Sequence, residues 1–122
     1  MDHTVFEQII RVANELEEVQ NSINDVVKDY NDHGSGINEV ATIESLHTLS
    51  YFEMYTFKVI FKFFTDSVQL EDKKFVSEAK VIVNMTSNDG SKNETKSVSV
   101  TDESIHSLDA VALGIILKMF AI

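Results

Sequence analysis

Cysteine, proline and tryptophan are all missing from this chain of 122 residues, and basic residues are scarce. Without cysteine there is no disulfide, no thiolate metal ligand and no cysteine nucleophile. That suits a reducing compartment, and a cytoplasmic location is expected. The lack of proline, the eight asparagines and the preference for lysine over arginine point to an AT-rich bacterial or phage genome. The opening residues, MDHTVFEQII, carry no basic stretch followed by an apolar core, so no secretory leader is expected. Long apolar runs are missing too: the longest, Ala110 to Leu117, is far too short to span a bilayer.

Ten lysines and arginines face twenty carboxylates, giving a formal net charge of −10. Such a surface repels phosphate backbones and anionic lipids, which argues against direct binding to nucleic acid or membrane. A protein partner with a basic surface is expected instead. Catalytic signatures are equally scarce. His3, His33, His47 and His106 lack the paired spacing of a zinc helix. HGSG (33–36) lacks the lysine of a phosphate-binding loop, and no serine sits in a nucleophile elbow. DYNDHGSGINEV (29–40) starts like a calcium loop, with Asp29, Asn31 and Gly34 in place. Val40 then stands where the bidentate glutamate belongs. No catalytic residue, metal or cofactor is expected, and the chain reads as non-enzymatic.

What the sequence does contain is periodicity. Val5, Ile9, Val12, Leu16, Val19, Ile23, Val26 and Tyr30 recur at alternating spacings of four and three, which predicts a long amphipathic helix over 4–31. Phe6, Ala13 and Val27 widen the stripe beyond a narrow zipper seam, so packing across a sheet or in a bundle is favoured. Gly34 and Gly36 end the helix in a loop at 32–38. Residues 39–48 fit helix or strand equally well.

Seven of the chain's eleven aromatic residues then crowd into YFEMYTFKVIFKFFTD (51–66). Period-two alternation predicts a strand over about 50–65. Its odd positions form a core face that includes Glu53, and its even positions mix Met54, Ile60 and Phe64 with Lys58 and Lys62. Further strands are predicted at 75–86 and 95–101, joined around Asp89-Gly90, with Lys96 blunting the last as an edge. A final helix over 103–120 is apolar on nearly every side. One small sheet cannot cover all of it, so a second subunit is expected.

The expected fold is a single α+β domain in two layers. It has an antiparallel sheet of three to four strands, a long N-terminal helix and a buried C-terminal helix, assembled as a homodimer or larger. Candidate oligomer or partner contacts are Ile9, Leu16 and Ile23 on the first helix, Met54, Ile60 and Phe64 on the aromatic strand, and Leu113, Ile116 and Phe120 on the last helix. Glu15, Glu17 and Glu18 make a candidate acidic contact face. The expected function is protein–protein binding, of the kind a phage or mobile-element inhibitor or adaptor performs. Two alternatives are a small-molecule-sensing or dimerisation module and an acidic mimic of DNA that plugs a nucleic-acid-binding protein.

Overall fold

The first helix, α1, runs without interruption over His3–His33 and so reaches about 46 Å at ~1.5 Å per residue. The computed structural model describes residues 3–33, 42–68 and 73–120; the calcium-like stretch beyond His33 lies outside them. Val5, Val12, Leu16, Ile23, Val27 and Tyr30 on α1 are buried, with Ile9, Val19 and Val26 partly so. The stripe is therefore wide, as a helix lying on a sheet requires.

Four strands follow: β1 (Ile43–Tyr51), β2 (Glu53–Val68), β3 (Lys73–Ser87) and β4 (Asn93–Thr101). They form one antiparallel meander in the order β1-β2-β3-β4. The strand expected over 50–65 is in fact parts of two strands. The chain reverses at Phe52, with Tyr51 paired to Glu53 on either side of it. A single-residue apex leaves the odd-in, even-out parity unchanged, so the alternation runs straight through the reversal. The ambiguous stretch before it contributes β1, whose inward positions include Ser45 and His47.

Along β1, β2 and most of β3 the odd residues face the helices. Phe57, Val59, Phe61, Ala79, Val81 and Val83 are fully buried there, each large one stabilising by roughly 1.5–3 kcal/mol. A register shift between Phe64 and Thr65 marks a bulge, beside which Asn31 of α1 accepts a hydrogen bond from the Val76 amide at 3.0 Å. The β3–β4 reversal is organised by Asp89. Its carboxylate accepts hydrogen bonds from the Ser91 hydroxyl and amide and from the Ser87 hydroxyl, which hold its pKa at about 2. Gly90 takes the positive φ of 78° that this turn needs.

A 3-10 turn, Asp102–Ser107, leads into α2 (Leu108–Phe120). Leu108, Ala112, Ile116, Met119 and Phe120 are buried against the sheet and α1. Phe120 meets Tyr55 and Phe57 edge-on, with centroids 5.8 and 6.3 Å apart. Val111, Leu113 and Ile115 are half-buried against this core, and Ala110, Gly114, Leu117 and Lys118 are exposed. Both helices lie on one face of the sheet, and the architecture is the expected α+β two-layer fold. No described helix is long and apolar enough to cross a membrane.

Candidate functional site

Because both helices cover the same side, the even-numbered positions of β1, of β2 as far as Phe64 and of β3 from Glu78 onward form a face without helical cover. Its apolar content is higher than a solvated face needs: Leu46 is 63% exposed, Met54 and Phe64 are nearly half exposed, and Ile60 and Ile82 stand opposite each other between them. Its charge also runs against that of the chain. Lys58 holds Glu44 of the neighbouring strand at 3.4 Å. Lys62 and Lys80 face each other directly across β2 and β3, and neither has an ion-pair partner among the described residues. Like charges in that position repel. On a molecule of net charge −10 this face gathers Lys58, Lys62 and Lys80 against Glu44, which stands opposite Ile60, and Glu78, which stands opposite Phe64.

A polar array joins α1 to the inner side of β1. His47 is buried, with its Nδ1 2.8 Å from Glu15 Oε1 and its Nε2 2.8 Å from the Ser45 hydroxyl. Serine, histidine and glutamate in this order resemble a hydrolytic relay. The surroundings do not extend the likeness. His47 has a side-chain exposure of 2%. The Ser45 amide lies within the β1–β2 ladder, so it is not a free donor for an oxyanion. The array acts as a clasp, extended by Arg11, which contacts both Glu15 and the Thr48 carbonyl, and by Gln8, which exchanges two hydrogen bonds with the Ser50 backbone. Burial works to raise the Glu15 pKa, but hydrogen bonds and charge from His47 and Arg11 outweigh it and hold the carboxyl below its usual range.

A third feature is a cleft of about 470 Å³ between the β1–β2 apex and the end of α2, lined by Phe52, Glu53, Tyr55, Lys92 and Phe120 among others. Lys92 donates to the Tyr55 hydroxyl at 3.1 Å, and that bond and the nearby Glu53 charge raise its pKa. Glu53 Oε1 is withdrawn from solvent without a hydrogen-bond partner, 3.9 Å from Lys92 Nζ. Phe52 itself is 97% exposed and takes φ +64°, a left-handed conformation that bulky side chains avoid. Among the described residues no group of three or more His, Asp or Glu side chains could hold a metal ion.

The contact residues named from sequence divide sharply. Leu16, Ile23, Ile116 and Phe120 are inside the chain's own core, and Ile9 and Leu113 are half-buried. Met54, Ile60 and Phe64 come together on the open face. Glu17 and Glu18 are exposed, whereas Glu15 is turned into the clasp. The sequence does not reveal the pairing of His47 with Glu15, the bonds of Gln8 to Ser50 or the opposition of Lys62 and Lys80. The lysine pair depends on register between strands, which no local pattern carries. Comparison with protein-family models, curated proteins and solved structures finds no match.

Proposed function

We propose that this chain is a protein-binding module whose docking surface is the helix-free face of the sheet, and that it takes an acidic amphipathic segment of its partner. The observation that carries this reading is the opposed, unpartnered pair Lys62 and Lys80 beside Ile60, Ile82 and Phe64. A carboxylate placed between the two lysines relieves their repulsion, while apolar side chains of the same segment cover the isoleucines and Phe64. Total charge favours a basic partner, but at contact distance the local field matters more, since salt screens charges beyond ~8–10 Å. The test is selection from a randomised peptide library on the immobilised protein. Enriched peptides should alternate acidic and apolar residues, and Lys62→Glu with Lys80→Glu should abolish their binding. Enrichment of basic peptides, or binding untouched by the double change, would overturn the reading.

A second reading, a small-molecule sensor, is favoured by the cleft under Phe52, where Lys92 and Glu53 offer one charge of each sign. Thermal-shift screening separates the two. A metabolite at a hundred times its dissociation constant adds roughly 2.7 kcal/mol, and Lys92→Met should remove the effect.

A further inference from the structure

We infer that β4 is a self-pairing strand, through which two copies of this chain join antiparallel into one continuous sheet. The two edges of the sheet are treated differently. On β1 the outward backbone groups nearest the apex are engaged by α1: Gln8 bonds both the amide and the carbonyl of Ser50, at 2.8 and 3.0 Å, and Arg11 bonds the Thr48 carbonyl. Hydrogen-bonding direction alternates along each antiparallel strand. With Thr48 and Ser50 turned outward, the pairing register sets Thr95, Ser97 and Ser99 as the residues of β4 that turn their N–H and C=O away from β3. Among the described residues only Asn84 of the neighbouring β3 donates a side-chain hydrogen bond to β4, and no helix side chain does so. A nine-residue edge with no proline is a template for another strand.

Two further observations select a second copy as the occupant. Beside the edge, between β4 and α2, runs a groove of about 460 Å³ lined by Val98, Val111, Gly114 and Ile115 together with Lys96 and Lys118. It continues the partly uncovered apolar side of α2, so pairing the strands also brings the two α2 helices towards each other. Glu94 and Lys96 both project to this helix side of β4, and neither has an ion-pair partner among the described residues. In an antiparallel pair whose two-fold axis passes through Thr95, Glu94 of each copy faces Lys96 of the other. An axis through Lys96 would oppose two lysines, and one through Ser97 would set each charge against a valine. Charge complementarity therefore picks Thr95. The axis is normal to the sheet, so the two helix-free faces lie side by side. This inference is independent of what docks on them.

Cysteine substitution and sedimentation test it. At the axis the two Thr95 Cα atoms would be about 5.5 Å apart, within disulfide reach. In this cysteine-free chain Thr95→Cys should cross-link fully on mild oxidation and Thr101→Cys should not. Thr95→Pro, which removes an outward N–H and the exposed hydroxyl that accepts from Asn84, should keep the circular-dichroism spectrum and sediment as a monomer. Glu94→Lys and Lys96→Glu should each weaken the dimer by about tenfold, and the double exchange should restore it. A wild type that is monomeric at every soluble concentration would overturn the inference. Equal cross-linking at both cysteine positions would also do so, as would a charge exchange that restores nothing.

Discussion

Phe52 shows what a single residue can hide. A left-handed conformation costs a non-glycine residue about 1–2 kcal/mol, and the exposed ring recovers little beyond its edge contact with Tyr51 at 4.4 Å. Phe52→Gly should therefore stabilise the protein by up to ~1 kcal/mol in urea denaturation, after glycine's own entropy cost is counted. A clear loss of stability would mean that the ring is held by contacts. Glu15 makes a pH-dependent prediction. Its folded pKa lies below the unfolded value, so its contribution is complete above the unfolded value and disappears as pH falls through the folded one. The melting temperatures of wild type and Glu15→Gln should differ most near neutrality and converge in acid. A difference that stays constant with pH would contradict the assigned role of the carboxylate.

At the scale of elements, the core seams were legible in the sequence because periodicity records burial. The eight-residue seam of α1 and the odd face of β2 lie where the spacings put them. β1 was not legible, because two of its inward positions carry Ser45 and His47, which a hydrophobic pattern counts as outward. The reversal at Phe52 was invisible for the opposite reason: parity survives it, and no glycine, proline or asparagine marks it. Several polar residues of α1 set its register on the sheet and on α2. Gln20 is buried and joins three partners, donating to the Ile105 carbonyl at 3.0 Å and to Asn24, and accepting from the Asp109 amide at the start of α2. Gln20→Leu strands that carbonyl and that amide, each costing about 1–3 kcal/mol. Chemical denaturation should show a loss of about 2–6 kcal/mol, and a neutral outcome would mean that water replaces the glutamine.

Across the whole molecule, net charge and local charge part company. Exposed carboxylates on α1 contribute to the total, while among the described residues the opposed Lys62 and Lys80, without ion-pair partners, lie on the sheet face that no helix covers, beside Glu44 and Glu78. Binding there should weaken as salt is raised, because the attraction acts through exposed charges. The open face remained only partly legible in the sequence. The mix of Met54, Ile60 and Phe64 with lysines was visible, but which charges meet across strands was not. The most direct measurement is nuclear magnetic resonance mapping of the amides while an acidic amphipathic peptide is titrated in. Shifts should concentrate at 44–48, 56–64 and 78–84 and leave α1 and α2 unmoved. Shifts confined to the helices, or to the cleft beneath Phe52, would contradict docking on the sheet.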